Sequence, residues 1–178
     1  SAPVGHQVQM TIDIFQKDYL REIPVRDFIL GTPGILFSDN AENGMQNWNG
    51  SWGVSLHNPY SGAQSFTDSP DGNYGNSTDN SMQLTEPVIL PDATGLYLEF
   101  RTRWRLESYY DAGRVEVSSD GSDWTPVRGL YSRDGAGQGV QPGGEPCYDG
   151  HQFVWIREWI DLTDWLTAPQ LYLRFRLR

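Results

Sequence analysis

Between Phe37 and Val54 the chain reads FSDNAENGMQNWNGSWGV, and Asp39, Asn40, Glu42 and Asn43 crowd into it just before two tryptophans. Two chemistries suit such a run. Acids and amides beside a glycine such as Gly44 cap their own backbone in a turn. They also offer oxygen donors to a hard cation, since Ca²⁺ takes roughly six to eight oxygens from carboxylates, amides and carbonyls. A second run, Asp68, Asp71, Asn73 and Asp79, carries the same donors but lies in a turn-rich loop and reads as solvated.

Covalent and zinc-assisted catalysis find less support. The three histidines, His6, His57 and His151, have none of the ordered ligand spacing of a zinc peptidase or deaminase. Neither a GxSxG elbow nor a phosphate-cradling glycine loop occurs. Cys147 stands near His151, which allows a Cys/His nucleophile to be drawn, but a lone cysteine in a glycine-rich loop is commonly incidental. Glu42, Asp111 and Glu158 offer carboxylates for glycoside hydrolysis, where the separation of the pair decides. That separation belongs to the fold.

Seven tryptophans invite a different chemistry, because an exposed ring stacks on the apolar face of a sugar. Trp104 has core parity. Trp48, Trp52 and Trp155 are less constrained and are the candidate platform residues, against the alternative that they fill volume. Arg101, Arg103 and Arg105, with Arg174 and Arg176, form a stripe for which cross-strand pairing to Glu99, Glu107, Glu116 or Glu158 is the expected account.

Strands must position these groups. No long segment repeats apolar residues with helical period, whereas GLYLEFRTRWRLE alternates, with Leu96, Leu98, Phe100, Thr102, Trp104 and Leu106 on one face. GRVEVSS repeats the pattern with Val115 and Val117 inward, and QLYLRFRLR with Leu171, Leu173, Phe175 and Leu177 inward. HQFVWIREWIDLTDWL reads as a strand followed by a short turn at DLTDW. Loops rich in glycine, aspartate and proline separate these strands, the longest spanning residues 132–152. The stretch VSSDGSDWTPV is similar to an aspartate-box turn but one residue short, so a hairpin with an Asp-Gly turn and Trp124 packed back on its strands is expected. The reading is an all-β, two-sheet antiparallel sandwich over 35–178. It is preceded by a linker or tail of another module over 1–34, where alternation runs around Val8, Met10, Ile12 and Ile14.

Bulk properties narrow the partners. A formal charge of −10 argues against nucleic acid and anionic membrane surfaces. The longest apolar runs fall well short of the roughly 20 residues a membrane helix needs. One cysteine allows no internal disulfide. The opening SAPVGHQ, with neither an initiator methionine nor a signal peptide, reads as a stretch within a longer protein.

LFSDNAENGMQNW, NYGNSTDNSMQLTEPVILP, LYLEFRTRWRLESYYDAGRVEVSSDGSDWTPV and REWIDLTDWLTAPQLYLRFRL, taken in order, resemble the MAM-like and galactose-binding-like jelly-roll modules appended to secreted bacterial metallopeptidases. Zinc carboxypeptidases and immune-inhibitor-A-type enzymes carry such modules. The resemblance implies a non-catalytic accessory domain that stabilises or positions the catalytic domain of the same polypeptide, or binds a glycan or protein ligand outside the cell. It also implies a structural Ca²⁺. Carried over residue by residue, its ligands are Asp39, Glu42 and Asp111, although Asn43 separates Glu42 from Gly44 where the family pairs Glu with Gly. Related modules continue into a further strand, and this chain stops at Arg178, so the resemblance implies that its last strand is lacking.

Overall fold

A computed structural model describes residues 34–178 in full and, ahead of them, the backbone of four strands. These are β1 (His6–Met10), β2 (Asp13–Gln16), β3 (Tyr19–Glu22) and β4 (Arg26–Leu30), with β1 paired antiparallel to β4 and β2 to β3. The alternation read around Val8, Met10, Ile12 and Ile14 concerns side chains that lie outside the described residues. By its contacts the chain divides into two compact units, Ser1–Ile35 and Leu36–Arg178.

The second unit is all-β and antiparallel. Its strands are β5 (Trp48–Gly50), β6 (Gly53–Ser55), β7 (Ser65–Thr67), β8 (Asn80–Leu84), β9 (Val88–Ile89), β10 (Tyr97–Arg105), β11 (Gly113–Ser118), β12 (Thr125–Pro126), β13 (Arg133–Asp134), β14 (Pro146–Cys147), β15 (His151–Asp161) and β16 (Gln170–Leu177). The main sheet runs β12-β11-β16-β8-β5, with β9 on the start of β16. A second sheet, β10 with β15, faces it across the core.

Period-two alternation builds that core. Val115 and Val117 of β11, Leu171, Leu173 and Leu177 of β16, and Met82 and Leu84 of β8 are buried on the inner side of the main sheet. Leu98, Phe100 and Trp104 of β10 and Ile160 of β15 meet them from the second sheet. Phe100 and Phe175 touch edge to face across the layers, with ring centroids 5.1 Å apart, a geometry that adds to simple area burial. The segment after β15 is a short 3-10 turn, Thr163–Thr167, where DLTDW was expected to turn.

One strand departs from its pattern. Arg114, Glu116 and Ser118 occupy the polar face of β11, yet all three are buried, Glu116 to 2% exposure. Arg174 reaches Glu116 at 2.5 Å and stacks on Trp124, while Arg114 pairs with Glu145 from the 132–152 loop. The hairpin β11–β12 and that loop therefore cover a face that alternation alone leaves wet. Among the described residues, no helix is long and apolar enough to cross a membrane.

Candidate ligand-binding face

Each of the three acids assigned to calcium is tied to N–H or O–H donors in its own neighbourhood. Asp39 accepts from the Ala41 amide at 2.8 Å, from the Asn47 side chain at 2.8 Å and from the Trp48 indole at 3.1 Å. It thereby pins a turn in which Ala41 takes a left-handed φ of 68°, a conformation that costs about 1–2 kcal/mol for a residue with a Cβ. Glu42 accepts from the amides of Ala63 and Gln64, with Gly62 at φ 63° leaving room for its carboxyl. Asp111 accepts from the Tyr74 hydroxyl at 2.6 Å and from the Glu107 amide. Among the described residues, no group of three or more histidine, cysteine or acidic side chains stands where it could hold a metal ion. The donor set does not fit a Ca²⁺ shared by Asp39, Glu42 and Asp111. The run at Phe37–Val54 caps turns.

Two of the three proposed platform tryptophans are also structural, which corrects their assignment. Trp48 is only 6% exposed and sits edge to face among Phe37, Phe66 and Phe175. Trp52 is half-buried against Phe175, its indole N–H donating to Asn80. Trp155 belongs to the outer side of β15, and the residues around it form the most chemically distinctive surface described.

That surface is the open face of β10–β15. Register places Glu99 opposite Trp159, Arg101 opposite Arg157 and Arg105 opposite His151. Between Thr102 and Trp104 the pairing slips, so that β15 spends extra residues opposite Arg103. A bulge of this kind re-aims side chains, and here Phe153 and Val154 stand 67% and 68% exposed. The segment carrying Leu56–Tyr60 lies against the same face: Trp155 donates its indole N–H to the Asn58 carbonyl, and Arg103 donates to the His57 carbonyl. Tyr60, half-exposed, meets Trp155 edge to face at 6.2 Å. The Arg101 guanidinium lies 4.8 Å over the Tyr60 ring, that of Arg103 5.0 Å over Trp155 and that of Arg157 5.6 Å over Trp159. Such cation–π contacts contribute about 0.5–1 kcal/mol each at exposed sites.

At one end the face runs into a recess of about 380 Å³ lined by Asn73, Tyr74, Arg105, Leu106, Glu107 and His151. Burial and the bond to Asp111 push the Tyr74 phenol up to about 12, so it stays a protonated donor.

The groups imagined as nucleophile or acid–base pair are engaged elsewhere. Cys147 is 1% exposed, and burial, with the Asp149 charge adding to it, pushes its thiol upward, away from the reactive thiolate. Glu158 is fully buried and accepts from the amides of Leu130, Tyr131 and Trp159. Tyr60, Arg101 and Arg103 were not legible as one cluster. The outward parity of the arginines was visible, but the arrival of Tyr60 from a distant loop has no local signal. No sequence family, curated protein or solved structure matches this chain.

Proposed function

We propose that this chain is a non-catalytic recognition module that binds polysaccharide through the open face of β10–β15. The observation that carries the reading is the interleaving of Tyr60 and Trp155 with guanidinium groups on the outer face of the sheet, beside Trp159, which packs between Arg157 and Tyr97. Aromatic rings offer flat apolar area to a pyranose, while arginine and amide donors satisfy its hydroxyls. The engagement of Glu42, Asp111 and Glu158 in separate hydrogen-bond sets supports binding without bond breaking. In the setting implied by the resemblance, an accessory domain of a secreted bacterial zinc carboxypeptidase, the module would hold the catalytic domain of the same polypeptide against a glycan-bearing surface.

Affinity electrophoresis through gels containing soluble polysaccharides tests this reading. Retention of the wild-type protein in at least one glycan, lost in Trp155→Ala and Tyr60→Ala with circular dichroism unchanged, is the expected result. Retention that neither substitution alters would place binding elsewhere and defeat the proposal.

A further inference from the structure

The charges on this face specify the ligand further than its rings do. Arg101, Arg103 and Arg105 make no ion pair among the described residues, whereas Arg157 is neutralised by Glu99 at 2.7 Å. Arg101 stands directly opposite Arg157 in the strand register, and like charges in that position destabilise a sheet. Of the other arginines of the stripe, Arg174 is held by Glu116, one of the expected partners, whereas Arg176 grips Asp79, which was not among them, through two bonds of 2.7 Å. Three uncompensated guanidinium groups on one strand of a chain of net charge −10 are a local reversal of sign. Outward positions of a strand recur about every 6.6 Å, which spaces these arginines along β10 rather than gathering them in a single pocket.

We infer that the β10–β15 face takes a polysaccharide bearing carboxylates, with Arg101 and Arg103 receiving its acidic groups; this rests on the glycan reading above. A guanidinium edge matches a carboxylate bidentately, and the rings of Tyr60 and Trp155 fix the orientation of the guanidinium groups that lie over them. Arg105 opens into the 380 Å³ recess beside Glu107, with Asp111 behind Tyr74. Those carboxyls make the recess fit for hydroxyls, and the acidic groups sit on the sheet. The net charge of −10 repels every polyanion at long range, nucleic acid and polyuronate alike, so recognition of the carboxylates is left to the short-range guanidinium forks of Arg101 and Arg103.

The test measures binding of the wild-type protein to alginate, polygalacturonate and hyaluronan, each beside its own carboxyl-reduced form, with single-stranded DNA as a polyanion lacking uronate. Expected is binding to at least one carboxylated glycan, weaker by about tenfold or more for the reduced form, because a charge-assisted fork is lost. Arg101→Gln/Arg103→Gln loses a similar factor while keeping its unfolding midpoint. Arg101→Lys, which retains charge without the planar fork, falls between. Equal binding of carboxylated and reduced forms, unaffected by the double substitution, overturns the acidic inference and leaves the glycan reading standing. Failure to bind either form of any glycan overturns both. DNA binding as tight as that of the carboxylated glycan overturns the inference, marking the face as a bare polyanion surface.

Discussion

Glu158 illustrates how much a single side chain can hold in place. Its two oxygens receive the amides of Leu130 and Trp159, each at 2.7 Å, and that of Tyr131 at 3.1 Å, in a site with no exposure to solvent. Gly129 completes the pocket, because a Cβ there would lie 2.7 Å from the Tyr148 hydroxyl and 2.8 Å from the Glu158 carboxyl carbon. Truncation as Glu158→Ala takes this acceptor from the Tyr131 and Trp159 amides and leaves the Leu130 amide only the Trp159 carbonyl at 3.2 Å, and we expect a loss of about 2–4 kcal/mol in denaturant unfolding. Glu158→Gln, which keeps one acceptor, loses less; a shift below about 1 kcal/mol for the alanine variant would refute the role given to this carboxyl. Tyr148 gives the same pocket a pH dependence. Burial first, and the neighbouring Glu158 second, push its phenol well above the ordinary value of 10.0. The unfolded tyrosine ionises near 10 while the folded one resists, so the stability it contributes is intact below that pH and drains away as pH rises beyond it. Tyr148→Phe should flatten this alkaline limb in urea titrations between pH 9 and 11.

At the scale of elements, the hairpin β11–β12 is held from one side chain. Asp120 accepts from the Ser118 hydroxyl and from the amides of Ser122 and Asp123, each at 2.8–2.9 Å. The Asp123 amide first, then the Ser122 amide and then the Ser118 hydroxyl lower its carboxyl to about 2. A depressed folded value means that the contribution is present above the ordinary 3.8 and lost as pH falls toward 2. Amide exchange at Ser122 and Asp123 should therefore quicken, relative to the core strands, across that window, and Asp120→Ala should show the quickened rate already at pH 6. The same hairpin shows what was legible in the residues. Alternation placed the apolar faces of β10, β11 and β16, because burial on one side of a strand writes a period of two into the chain. It said nothing of the second layer over Arg114 and Glu116, which is made by Trp124 and by Glu145 arriving from a long loop. Nor could local acidity distinguish a carboxylate that binds a cation from one that, like Asp39, is engaged by amide and indole N–H groups. Removing the carboxyl of Glu116 deprives the partly buried Arg174 of its partner and leaves the buried Arg114 only Glu145, and Glu116→Ala should cost about 3–5 kcal/mol in denaturant unfolding.

For the whole molecule, the sign of its charge and the sign of its candidate face are opposed, and salt separates the two. At −10 the chain repels itself, and screening that repulsion favours the compact state. The ion pairs that salt weakens most are the exposed ones, such as Arg157–Glu99 and Arg128–Asp134, and pairs of that kind contribute about 0.2–1 kcal/mol or less. The Arg174–Glu116 pair, in which Glu116 is buried, is screened less. Thermal unfolding should accordingly shift upward as NaCl is raised from about 10 mM to about 300 mM, over which the screening length shrinks from about 30 Å to below 10 Å. Binding of a carboxylated glycan to Arg101 and Arg103 should weaken over the same range, because the attraction that salt screens there lies between opposite charges at an exposed surface. Calorimetric titration and thermal melts on one protein stock give both slopes. Opposite slopes assign the lost affinity to the face itself, since the protein holding it has become more stable. If melting and affinity fall together, exposed ion pairs outweigh the net repulsion, and affinity must be compared at salt concentrations with equal folded fractions before any loss is credited to the arginines.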